Sequence, residues 1–200
     1  MTARWSGLLP LLDAGEAIDI ALDWCDKALS ALVGPTNAVL TNALAHHFMT
    51  GTPSGQQLAA ISTRMQAVRN RINALPDNFQ WTRGLTEVSQ TVPVTLTEIG
   101  DDFSNLNGPN GRAAILIHEA VHFTFTGGLS VDVPEWSGAI INGVPFGISP
   151  PVANVTVSGI GYSAMTPDQA IENPSSYAAF AQEITFNGTD TRFGAARPHE

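Results

Sequence analysis

The chain has 200 residues and 44 % hydrophobic content, enough for one domain over 1–200 with a proper core. Nine basic residues against eighteen acidic ones leave a net charge of -9, which excludes the clustered Lys and Arg of a nucleic-acid partner. The single cysteine, Cys25, excludes an intramolecular disulfide and a cysteine-based zinc site.

The first part, 1–80, reads as helical. Ala17 to Leu32 carries Ile18, Ala21, Leu22, Cys25, Ala28, Leu29 and Leu32 at near-helical spacing, and Gly34-Pro35 ends it. Cys25 on that stripe reads as a core thiol rather than a nucleophile. Thr36 or Asn37 opens a second helix toward Met49, and Gly51 to Gly55 breaks it. Its adjacent His46 and His47 point to different sides of the helix, so surface or core roles are expected rather than a shared metal. A third helix, Gln56 to Ala74, aligns Leu58, Ile61, Met65, Val68 and Ile72, with Arg64, Arg69 and Arg71 on a solvated face.

Val88 to Ile99 is rich in β-branched residues and reads as a strand or hairpin arm, with Pro93 favouring an edge. A turn-rich loop, 100–111, follows, and Asn110 or Gly111 opens the next helix. Gly127-Gly128 would stop that helix a turn past His122. From Ser137 to Gly161 the chain reads as loops with short strands. Thr166-Pro167-Asp168 starts a short helix. Asn173-Pro174 starts another toward Ile184, with a capping residue followed by proline at the first helical position. The expected fold class is α+β, predominantly helical, with a small β element before the helix that Asn110 or Gly111 opens.

The chemistry lies in His118-Glu119-Ala120-Val121-His122. In H-E-x-x-H, two histidines four apart share one helix face and can bind one zinc ion. The glutamate between them can take a proton from a bound water. Random placement would give such a match in roughly one chain in two hundred of this composition, so the motif carries weight through its mechanism. It interrupts the apolar run Ala113 to Ile117, where two histidines and a glutamate would be costly to bury without partners. That interruption also removes the longest candidate membrane helix. A catalytic zinc needs a third ligand and an open position. Gly128 stands where a third histidine would, and Ile140 to Ser149 holds no carboxylate, so the candidates are Asp132 and Glu135.

With His118 to Thr124, Gly127-Gly128 and then Asp132, the chain resembles the aspzincin metallopeptidases, the deuterolysins and peptidyl-Lys metalloendopeptidases. Their pattern is H-E-x-x-H-F-T, a glycine pair, then G-T-x-D-x-x-Y-G. Pro167 to Phe180 resembles their segment N-P-D-x-A-x-x-N-A-D-x-x-x-x-F. The resemblance covers residues 88–187. It implies a zincin-like metallopeptidase with one zinc ion on His118, His122 and Asp132, with Glu119 as general base. Asp132 stands one residue later than the family spacing. Glu135-Trp136 occupies the place of the family tyrosine implied to stabilise the oxyanion, leaving Tyr162 or Tyr177 as donors. The two acids implied to line the lysine pocket of Lys-specific members align with Ser175 and Ala178, so lysine specificity is not implied.

The expected function is therefore a zinc metalloendopeptidase acting on a peptide or protein substrate, without nucleic acid or membrane, and as a monomer. A catalytically silent zinc module for protein recognition is the alternative, or a narrow-specificity toxin or effector protease. Met1 to Trp5 lacks the features of a signal peptide, so the expected location is cytoplasmic, or outside by a route without a classical signal.

Overall fold

A computed structural model describes residues 9–75, 79–81, 89–92, 96–99, 103, 108–124, 139–141, 144–146 and 165–187. Helix α1 spans Leu9–Val33, starting two turns before the expected Ala17. The N–H of Gly34 closes it by donating to the carbonyls of Ser30 and Ala31 at 3.0 and 3.3 Å. Helix α2, Ala38–Phe48, starts on Asn37, whose side-chain oxygen accepts from the Leu40 N–H. It stops where Met49 turns left-handed at φ 56°. Helix α3, Gly55–Ala74, opens on a capping box in which Ser54 and Gln57 satisfy each other's backbone N–H.

Backbone strands β1 (Phe79–Trp81), β2 (Ser89–Val92) and β3 (Leu96–Ile99) pair in the order β1-β3-β2, parallel and then antiparallel. Helix α4, Gly108–His122, carries the motif. It starts earlier than Asn110, because Pro109 is tolerated in a first turn whose N–H groups have no intrahelical partner. It ends at His122 rather than at Gly127. Thr124 closes it, its N–H and hydroxyl both donating to the Val121 carbonyl at 2.8 and 2.7 Å. A two-stranded ribbon, β4 (Ala139–Ile141) with β5 (Val144–Phe146), follows. Helices α5 (Pro167–Ile171) and α6 (Pro174–Thr185) complete the described chain.

Helix α4 is the hub. It packs against α1, α3 and α6, with β2 alongside. Ile61, Met65, Val68 and Ile72 of α3 are fully buried, as are Ala17, Ala21, Cys25 and Ala28 of α1, which is the stripe that the sequence spacing predicts. Phe48 of α2 meets Tyr177 and Phe180 of α6 edge-on at 5.1 and 5.4 Å between ring centroids. Trp24 meets Phe186 at 5.7 Å in the same way. Edge-to-face pairs of this kind add about 0.5–1.5 kcal/mol each beyond the area they bury.

The expected α+β class with a small β element is corrected here to a helical one. Helices α1, α3, α4 and α6 run 25, 20, 15 and 12 residues. The strands are three or four residues long. The physical reason is that amphipathic helices twenty and more residues long supply continuous apolar stripes, and the packed body forms from those. The arginines expected on a solvated face of α3 also have work. Arg64 Nη1 donates to the Ile171 carbonyl at 2.8 Å, Arg69 pairs with Asp26 at 3.0 Å, and Arg71 lies over the Phe123 ring. No helix among the described residues is long and apolar enough to cross a membrane.

Candidate metal centre

Residues 111–121 of α4 are buried throughout, so the motif lies inside the helical packing rather than on a wet face. His118 is 0 % and Glu119 5 % exposed, while His122 is half-buried. The Nε2 atoms of His118 and His122 stand 3.0 Å apart, with ring centroids 4.9 Å apart and planes at 61°. One ligand atom from each of His118, Glu119 and His122 lies within 4.8 Å of the other two. Burial pushes the His118 ring from its ordinary 6.5 down to about 3, so it is neutral near pH 7. A neutral imidazole is the form that can ligate a metal.

The donor set fits zinc. Zn–N bonds run about 2.0–2.1 Å, so one ion can reach two nitrogens at the observed 3.0 Å separation. Both nitrogens cannot carry a proton at that distance without clashing. If one does, the two rings hydrogen-bond to each other; if neither does, the facing lone pairs suit a cation between them.

On the other side of the His118 ring, Nδ1 lies 3.3 Å from the Ser175 hydroxyl, and Ser175 is 0 % exposed. Ser175 stands in the first turn of α6, whose entry is shaped by Asn173. Asn173 does not cap the helix through its side chain as expected. Its amide donates instead to the Ser176 hydroxyl at 3.1 Å. Tyr177, one of two candidate oxyanion donors, is fully buried, and its hydroxyl donates to the Ile171 carbonyl at 2.8 Å. That bond ties α5 to α6 and directs the phenol to the backbone. Burial pushes this phenol above its usual range.

Asp132, Glu135 and Tyr162 lie outside the described residues, so the third-ligand expectation has no geometry here. Cys25 is fully buried, and burial, with Asp26 beside it, pushes its thiol well above the ordinary range, consistent with a core role. His46 and His47 do face apart, yet both meet one buried acid on α6. Glu183 lies 2.8 Å from His47 Nε2 and 3.1 Å from His46 Nδ1. The sequence reading did not include Glu183 or the Ser175 contact with His118. Their only local signal is polarity inside an apolar helical segment, Pro174 to Ile184.

No family model matches this chain, and no curated protein matches it. Among solved structures, one described as a zinc peptidase from Grifola frondosa matches with a TM-score of 0.59. The two share 18 % sequence identity, with 86 % of this chain and 94 % of that chain covered. At that identity the likeness is one of fold.

Proposed function

We propose that this chain is a zinc-dependent metalloendopeptidase, with His118 and His122 as metal ligands and Glu119 as general base. The observation that carries the reading is the convergence of two imidazole nitrogens with a carboxylate in a buried helix. Such groups are expensive to bury unless they have partners or a charge to hold. The fold shared with a zinc peptidase supports it. Asp132 is the third ligand in this reading, with Glu135 as its competitor.

A zinc ion held there would supply Lewis-acid polarisation of a water and of the scissile carbonyl. Glu119 follows His118 directly, so the helix turns its carboxylate about 100° away from the ligand face, beside the metal rather than on it. From there its carboxylate oxygen can take the proton of the attacking water and pass it to the leaving amine. The buried surroundings keep bulk water from competing for that proton.

The test is Glu119→Gln, which keeps shape and removes basicity. Zinc content should stay unchanged, while peptide-library cleavage should fall by about 10²–10⁴-fold, the usual worth of a general base. Unchanged cleavage refutes the mechanism. Zinc uptake by a wild-type chain that cuts no peptide in the same digest supports the silent module instead. The Tyr177 hydroxyl donates its proton to the Ile171 carbonyl and so has none for an oxyanion, which favours that second reading. Lysine specificity is not implied, because Ser175 and Ala178 stand where the resemblance would put the two pocket acids.

A further inference from the structure

We propose that Ser175 is a positioning residue of the metal centre, accepting the Nδ1–H of His118 and thereby turning the Nε2 lone pair toward His122. The inference rests on the zinc reading above.

The His118 ring has one proton to share between two nitrogens. With the proton on Nε2, the 3.0 Å separation from His122 Nε2 is a good hydrogen-bond length, and the two rings would tie each other up. With the protons of both rings on Nδ1, the two Nε2 lone pairs can face one cation. A group that accepts from Nδ1 favours the tautomer of His118 whose Nε2 can bind a metal. That group is the Ser175 hydroxyl at 3.3 Å, and both residues are 0 % exposed.

Helix geometry makes the placement firm. Ser175 follows Pro174 in the first turn of α6, where proline fixes the backbone entry. The Asn173 amide donates to Ser176, and the Tyr177 hydroxyl reaches back to Ile171. The residues on both sides of Ser175 are thus anchored, and its hydroxyl has little freedom to leave the imidazole. A partner on the far nitrogen of a metal-ligating histidine fixes ring orientation and tautomer, and its loss usually lowers metal affinity about 10–100-fold. Ser175 is a neutral partner, so it orients His118 without adding charge to the ring.

Ser175→Ala should weaken zinc binding about 10–100-fold in a competitive chelator titration. The metal-free variant should keep a cooperative thermal melt, since the change only removes an oxygen. Ser175→Asp is the rescue, because its carboxylate can only accept and suits the first turn of a helix. It should restore zinc affinity to the wild-type level or above. Nitrogen-15 shifts of His118 in the metal-free protein should report an Nδ1–H tautomer in wild type and Ser175→Asp. In Ser175→Ala they should report a mixed or altered ring. Equal zinc affinity of wild type and Ser175→Ala overturns this inference and leaves the peptidase reading standing. A wild-type chain that takes up no zinc overturns both.

Discussion

Replacing Glu183 should cost more stability than any other single polar change on α6. Its side chain is 1 % exposed and accepts from His47, itself 1 % exposed, at 2.8 Å and from His46, 55 % exposed, at 3.1 Å. Hydrogen bonds to a charged group contribute about 1.5–3 kcal/mol each. Glu183→Gln retains one accepting oxygen, loses the charge, and turns an amide N–H toward a histidine, so about 2–3 kcal/mol should be lost. Glu183→Ala leaves the buried His47 without its partner and should lose about 3–5 kcal/mol. For a chain of this size, each kcal/mol moves the melting temperature by about 2–4 °C. His46→Gln, at the exposed end, should lose under about 1 kcal/mol. Acid should act in the same direction. Burial by itself would raise the Glu183 carboxyl, but its hydrogen bonds to the two histidines hold it below the usual range. Its stabilisation is therefore present above the ordinary carboxylate pKa and fades as pH falls through the folded value. Burial also lowers His47 below its ordinary 6.5, so unfolding takes up a proton there, and stability falls further as pH drops past 6.5. Urea titrations of wild type, Glu183→Gln and His46→Gln at neutral and acid pH measure all of this. A Glu183→Gln midpoint equal to wild type, with the same acid dependence, refutes the reasoning.

Arg71 and Cys25 allow sharper tests of packing. Arg71 Cζ sits 3.4 Å over the Phe123 ring, yet Nε and Nη2 are buried with no hydrogen-bond partner among the described residues. The ring contact contributes about 0.5–2 kcal/mol, whereas two unsatisfied donors cost about 1–3 kcal/mol each. Arg71→Met should therefore melt no lower than wild type, and a clear drop in melting temperature would show those donors are engaged. Cys25 should resist thiol reagents in the folded chain and react only at the rate of unfolding, because its sulfur is covered and its thiolate disfavoured. Fast labelling in native buffer would contradict the packing of α1.

Legibility from sequence followed the range of the interaction. The cap of α2 by Asn37, the stop at Gly34 and the stripe of α3 depend on residues within a turn or two of each other. The motif is local in the same sense, since histidines four apart meet on any helix, and here their Nε2 atoms do. Partners brought from afar were not legible. Ser175 lies 57 residues from His118, and Glu183 lies 136 from His47. The α+β expectation failed for a related reason. β-branched composition signals strand propensity, but which elements build the core is decided by how much apolar face each can bury. In this chain the long helices α1 and α3 carry continuous buried stripes.

Helix α6 ties these long-range contacts together, and the tie explains why so polar a helix is buried. Pro174 to Glu183 are buried as one run, including Ser175, Ser176, Gln182 and Glu183, which a helix of packing alone would not need. Each of these polar groups carries a desolvation cost that a hydrophobic replacement would avoid. At its start the helix meets His118 through Ser175, and two turns later it meets α2 through Glu183. Eight residues at 1.5 Å each put those points about 12 Å apart along the axis. A rod fixed at both ends cannot slide or rotate without breaking a buried hydrogen bond, so the His118 ring is held by a helix that is itself locked in place. If that is why the acid at Glu183 is retained, Glu183→Gln should loosen zinc as well as lower stability, by a smaller factor than Ser175→Ala. Chelator competition on the two variants at a temperature well below both melts measures this. Zinc affinity untouched in Glu183→Gln would show that the lock serves stability alone.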